Sequence, residues 1–188
     1  SLIIKEKFLS HNIIDFNVED LNTQKLNLKD KSVDLIFMCE VIEHLYNPDL
    51  ILSECHRVLK NGGRLIITTP NFASWFNRVL MLFGYFPLNL DISCALRSTG
   101  KKDILSKKPF GDIKFNPLYD VHIKLYTIKT LSLLLEHWKL NVLSKSSYTI
   151  SDSAHHKTGL LINTINKILS MFPSLGHGII IESLKNNN

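Results

Sequence analysis

The stretch that most constrains this chain is residues 33–70. It opens with VDLIFMC, a nearly continuous apolar run of strand length, as expected for a strand buried on both faces. Asn47 and Pro48 then supply an N-cap and a first helical residue, and Ile51, Cys55, Val58 and Leu59 recur at helical spacing until Asn61-Gly62-Gly63 stops the helix. RLIITTP, residues 64–70, is a second strand-like run. A strand, a helix of about a dozen residues and another strand, with no hairpin turn between them, predict a right-handed βαβ crossover in a parallel sheet. The fold class is therefore α/β, with NIIDF at residues 12–16 as a further short strand.

Beyond residue 70 the pattern changes twice. Trp75, Phe76, Val79, Leu80 and Phe83 mark an amphipathic helix after Ser74, and a lysine-rich stretch broken by Pro87, Pro109 and Pro117 follows, so that about 74–120 reads as an inserted lid. Thr127 caps a helix through Ile128, Leu131, Leu134, Leu135 and Trp138, leading into a strand over 141–150. A last helix carries Leu161, Ile165, Ile168, Leu169 and Phe172, and GIIIESL at 178–184 closes the sheet, pairing antiparallel with the strand before it. Residues 1–188 thus read as a single domain.

Composition narrows the class. With 188 residues, 45% of them hydrophobic and 21% charged, the chain can bury a real core, which excludes disordered and collagen-like sequences. Cys39, Cys55 and Cys94 are odd in number and lack a CxxC pair, which points to reduced thiols, not to a zinc site or bridges, and hence to a cytoplasmic location. The apolar stretch 72–90 is interrupted by Asn77, Arg78, Gly84 and Pro87, too broken to span a bilayer. The net charge of +5 is concentrated in residues 97–129, where eight Lys and Arg face three Asp. Such a segment suits a phosphate-bearing substrate, nucleic acid or peripheral contact with an anionic membrane, beside its plain reading as a solvated insertion.

The run DLNTQKLNLKDKSVDLIFMCEVIEHLYNPDLILSECHRVLKNGGRLIITTPN, with DVHIKLYTIKTL further on, resembles the central block of class I S-adenosylmethionine-dependent methyltransferases, in particular the small-molecule, ubiquinone-biosynthesis-like branch. VDLIFMCEVIEHL resembles that family's fourth strand and the turn after it, and RVLKNGGRLIITTPN the helix end, glycine turn and fifth strand. The resemblance implies a Rossmann-like, mostly parallel sheet with helices on both faces, and S-adenosylmethionine as cofactor. It also places the family's first strand and Gly-x-Gly loop before residue 1, which would make 1–188 a single partial domain of that family. Gly62-Gly63 is no substitute, because it leads from a helix into a strand, whereas a phosphate- or cofactor-cradling loop leads from a strand into a helix N-terminus. Weak or absent cofactor binding by these residues alone is the expectation, and a non-catalytic remnant or binding module is the alternative.

By the same resemblance, Asn17 and Val18 would read the adenine, and Cys39 and Glu40 would flank the methionine part of the cofactor. Cys39 also fits a small buried hydrophobe. Glu40, Glu43 and His44, at i, i+3 and i+4, would share one face of a helical turn. Glu43, His44 and His122 are the catalytic candidates, for acid–base work or orientation of a small-molecule acceptor, lipid- or glycan-linked acceptors included. With Glu40 they also resemble the Glu-x-x-Glu-His plus distal His with which small-RNA 2′-O-methyltransferases hold Mg²⁺ or Mn²⁺, a further alternative. His56, His137, His155, His156 and His177 show no partner pattern.

Overall fold

The computed structural model describes residues 21–87, 122–149 and 160–186. The candidate positions Asn17 and Val18, the strand expected at 12–16 and most of the expected lid lie outside the described residues.

The elements run β1 (Val33–Cys39), a single 3₁₀ turn (Ile42–His44), α1 (Pro48–Val58), β2 (Leu59–Pro70), α2 (Trp75–Leu82), α3 (Ile128–His137), β3 (Leu140–Tyr148), α4 (Leu160–Leu169) and β4 (Gly178–Lys185). The described strands form one sheet in the order β1-β2-β4-β3. β1 and β2 are parallel, as the crossover between them demands, whereas β4 runs antiparallel to both β2 and β3. The described sheet is α/β but mixed in direction.

The helix caps are the ones the local sequence encodes. The Asn47 side chain accepts from the Leu50 amide, the Ser74 hydroxyl from the Asn77 amide, and Thr127 and Thr130 form a reciprocal capping box. α1 stops at Val58, earlier than the glycine pair, and β2 begins at once. The pairing with β1 then jumps from Val33↔Leu59 to Leu35↔Arg64, so Lys60 to Gly63 form a bulge, with Gly62 at φ 78° where a side chain would be strained. At the C-terminus of α1, buried Lys185 donates from Nζ to the carbonyls of His56 and Leu59, satisfying groups the helix leaves open.

The core lies on one face of the sheet. Leu65 and Ile67 of β2 meet Ile179 and Ile181 of β4, and Ile51, Leu52 and Cys55 of α1 and Leu131 and Leu135 of α3 pack over them. A second tie crosses from α1 to the preceding loop. Arg57 donates to both carboxylate oxygens of Glu54, to Asp30 and to the carbonyls of Leu26 and Leu28, while the Leu26 amide donates to Glu54 Oε2. The arginine and this amide hold the Glu54 carboxyl below the usual range.

Two expectations fail here. β1 is not buried on both faces: Met38 is in the core, but Leu35 and Phe37 are exposed, as is Cys39, which is therefore no buried hydrophobe. Among the described strands β1 is an edge, and α1 and α3 cover only the face that carries Met38. α2 half-buries Trp75, Phe76 and Leu80 but leaves Val79 and, at its C-cap, Phe83 exposed, and its one buried residue is polar Asn77.

Candidate active site at the carboxyl end of the parallel strands

Where β1 ends, the backbone turns sharply at Glu40, which adopts φ 52°, a left-handed conformation rare for a side-chain-bearing residue. The Glu40 amide still donates to the Thr68 carbonyl at the end of β2. One turn follows, closed by His44 N–H to Val41 O and Leu45 N–H to Ile42 O. Ile42, fully buried, anchors that turn in the core and draws Glu43 inward with it.

The three residues expected on one helical face therefore separate. Glu40 sits before the turn, and its Oε1 accepts from the Thr68 hydroxyl at 2.8 Å and the Tyr148 hydroxyl at 2.9 Å. Glu43 accepts at Oε2 from the Thr69 hydroxyl at 2.9 Å. Thr68 and Thr69 are neighbours in β2, and successive strand side chains point to opposite faces. The sheet thus divides the two carboxylates: Glu43 lies on the core face and Glu40 on the other.

His122 joins Glu43 and His44 from far along the chain. The amides of Ile123 and Lys124 both donate to the Glu43 carbonyl, at 2.7 and 3.0 Å, which docks this segment on the turn. The two imidazole rings then lie 4.9 Å apart, centroid to centroid, tilted by 49°. One ligand atom from each of Glu43, His44 and His122 falls within a 4.8 Å cluster. His44 Nε2 is 3.9 Å from Glu43 Oε1, and that oxygen, buried, has no hydrogen-bond partner among the described residues.

Burial raises the Glu43 carboxyl above its ordinary value, opposed by the hydrogen bonds it accepts. Nearby Tyr126 is buried with its hydroxyl unpartnered, and burial, then Asp49 and Glu43, push it up to about 12. A carboxyl that binds its proton more tightly beside two imidazoles is the chemistry of an acid–base group. One carboxylate and two imidazoles are also a donor set for a borderline divalent cation such as Mn²⁺, and the unpartnered Glu43 oxygen suits a ligand atom.

Sequence reasoning missed Thr68, Thr69, Tyr126 and Tyr148. Tyr148 comes over the sheet because it pairs with Gly178 in the β3–β4 register, and only glycine leaves room for its ring: a Cβ there would lie 1.9 Å from Tyr148 Cζ. Burial, then the bond to Glu40, raise the Tyr148 hydroxyl above its usual range. The TTPN at 68–71 and the glycine opening the last strand were the only sequence signals for this arrangement. Asn71 completes the end of β2, donating from Nδ2 to the carbonyls of Ser174 and Gly176.

Residues 3–67 match the family model described as a methyltransferase domain. A Mycolicibacterium smegmatis protein named "Probable S-adenosylmethionine-dependent methyltransferase" is 46% identical over 50 residues, which are 27% of this chain and 20% of that protein. The rat mitochondrial ubiquinone biosynthesis O-methyltransferase is 40% identical over 48 residues, 26% of this chain and 14% of its own length. The matches thus span about a fifth or less of these relatives. In fold, the chain is similar to S-adenosylmethionine-dependent methyltransferases from Mesorhizobium loti (TM-score 0.54, 10% identity, 98% of this chain and 76% of that one) and Clostridium acetobutylicum (TM-score 0.53, 16% identity, 97% and 70%). The resemblance read from the central block and the Rossmann-like fold it implied are borne out. No described helix is long and apolar enough to cross a membrane.

Proposed function

We propose that this chain takes part in methyl transfer from S-adenosylmethionine to a small-molecule acceptor, with Glu43, His44 and His122 on the acceptor side. The convergence of these three side chains beyond the carboxyl end of β1 carries the reading, because open α/β sheets bind ligands at that edge. The cofactor supplies an electrophilic methyl group; the protein has only to align, desolvate and deprotonate the nucleophile. His44, with Glu43 Oε1 3.9 Å away, takes the acceptor proton, and the buried carboxylate steadies the imidazolium that results. His122, beside the His44 ring, orients the acceptor.

Glu40 and Cys39, at the end of β1, are assigned to the methionine part of the cofactor, and Asn17 and Val18 to its adenine. Glu40 is suited to the α-amino group, since Thr68 and Tyr148 both engage Oε1 and fix the carboxylate's direction. The test is calorimetric titration with S-adenosylhomocysteine, on residues 1–188 and on the same chain together with whatever precedes it in its gene. Micromolar binding that falls at least about tenfold in Glu40→Ala supports the assignment. Absence of binding in both forms refutes it in favour of a non-catalytic module.

A divalent cation is the second reading, favoured by the 4.8 Å cluster and the unpartnered Glu43 oxygen. Glu43, His44 and His122 would hold Mn²⁺ or Mg²⁺, which would polarise an acceptor hydroxyl such as the 2′-hydroxyl of an RNA. Glu40, engaged with Thr68 and Tyr148 across the sheet, is not one of the clustered ligands. Mn²⁺ titration followed by electron paramagnetic resonance separates the readings: binding lost in Glu43→Gln and His122→Ala selects the metal, and no binding leaves the acid–base role.

A further inference from the structure

The Glu40 carboxylate is held by one oxygen only. The Thr68 and Tyr148 hydroxyls both donate to Oε1, whereas Oε2 accepts from no described residue, and Glu40 is exposed. Both donors are uncharged, and among the described residues Glu40 makes no ion pair. His177 feels the Glu40 charge, but burial outweighs it and lowers the imidazole below its ordinary value, so that it is neutral at pH 7. The Tyr148 hydroxyl, raised by burial and then by its bond to Glu40, stays protonated as a donor. Two neutral donors thus orient the carboxylate without cancelling its charge.

The two donors arrive by different routes. Thr68 pairs with Cys39 in the β1–β2 register and so stands beside Glu40. Tyr148 starts on β3, two strands beyond β2 in the order β1-β2-β4-β3, and its ring crosses β4 at Gly178, where the glycine leaves room for it. A lysine or arginine spanning that gap would pair with the carboxylate and use up its charge. A phenol carries a donor across the same gap and brings no charge. What remains is one bare, directed carboxylate oxygen. A primary ammonium, a compact cation with three donors, is the ligand group that such an oxygen fits.

We propose that Tyr148 is a positioning residue for the α-amino group of the cofactor: by holding Oε1 of Glu40 it presents Oε2 to the ammonium. The inference rests on the assignment of Glu40 to the methionine part of the cofactor. The test is calorimetric titration with S-adenosylhomocysteine and with its analogue carrying hydrogen in place of the α-amino group, on residues 1–188 and on the chain with whatever precedes it in its gene. Tyr148→Phe keeps the ring over Gly178 and removes only the donor. It should weaken S-adenosylhomocysteine binding about three- to tenfold, the weight of one hydrogen bond, and leave binding of the analogue within about twofold. In a Glu40→Ala background the same change should have no effect on either ligand. Equal weakening of both ligands by Tyr148→Phe overturns the proposal and reduces Tyr148 to packing. Unchanged S-adenosylhomocysteine binding in Tyr148→Phe overturns it too, while the cofactor assignment of Glu40 stands. No binding by the unmodified protein in either form refutes that assignment, and this inference with it.

Discussion

Replacing Gly178 by alanine should destabilise the protein by about 1.5–2 kcal/mol, and the whole of that cost should vanish when Tyr148 is also truncated. The new Cβ would stand 1.9 Å from Tyr148 Cζ, 2.1 Å from Cε1 and 2.4 Å from the hydroxyl. All three are atoms of the ring's outer half, so the ring is driven off the strand and the backbone stays. Tyr148 then loses its bond to the Glu40 carboxylate, for which about 1.5 kcal/mol is the fitting figure at an exposed acceptor. It also loses about 1 kcal/mol of ring burial. Against this, alanine in place of glycine within a strand recovers roughly 0.5–1 kcal/mol of chain entropy. In a Tyr148→Ala background only that gain remains, and Gly178→Ala should be stabilising. Urea unfolding followed by far-ultraviolet circular dichroism on all four members of the cycle measures the coupling, expected near 2–2.5 kcal/mol. Equal effects of Gly178→Ala in both backgrounds, within about 0.5 kcal/mol, would refute the register argument that puts Tyr148 over Gly178 and beside Glu40.

Glu43→Gln should raise stability at neutral and alkaline pH, because a carboxyl whose folded pKa is raised favours folding only in its protonated form, a contribution lost as pH rises from 4.5 through the folded value; thermal midpoints that stay parallel between the two proteins from pH 4 to 8 would contradict this. Glu54 has the opposite sign: its lowered pKa stabilises above 4.5 and ceases to do so as pH falls through the folded value. Arg57→Ala should therefore cost about 2–4 kcal/mol at pH 7, leaving Glu54 buried with only the Leu26 amide, and much less in acid; a pH-independent loss in urea titrations would count against the ion pair. Asn71→Ala should cost about 2–3 kcal/mol, since it strands the carbonyls of Ser174 and Gly176, and it should speed hydrogen exchange at the Trp75 amide bound to the same loop.

Local chemistry was legible without the fold. Asn47-Pro48, Ser74 and Thr127 announce their helices because an N-cap is satisfied within three residues of itself. The parallel pairing of β1 with β2 follows from the absence of a hairpin turn, whereas the expected antiparallel pairing of the last two strands, also joined through a helix, is settled by the assembled sheet. Glu43, His44 and His122 were legible as candidates from the segments that carry them, and the fold gathers them. Glu40 was misplaced. The i, i+3, i+4 rule presumes a continuous helix, whereas the chain makes a left-handed step at Glu40 before its single turn.

The sequence by itself therefore determined which of the described segments become strands and helices, where the capped helices begin, and the family model that residues 3–67 match. Tertiary structure alone decided that Thr68 and Thr69 send Glu40 and Glu43 to opposite faces, that Tyr148 reaches Glu40 across 108 positions, and that Phe37, Leu82 and Phe83 stay in water. The reason is range. Caps and periodicity are settled by neighbours a few residues apart, but the partner of a side chain and the cover over an apolar face depend on strand register and layer order, which belong to the assembled sheet.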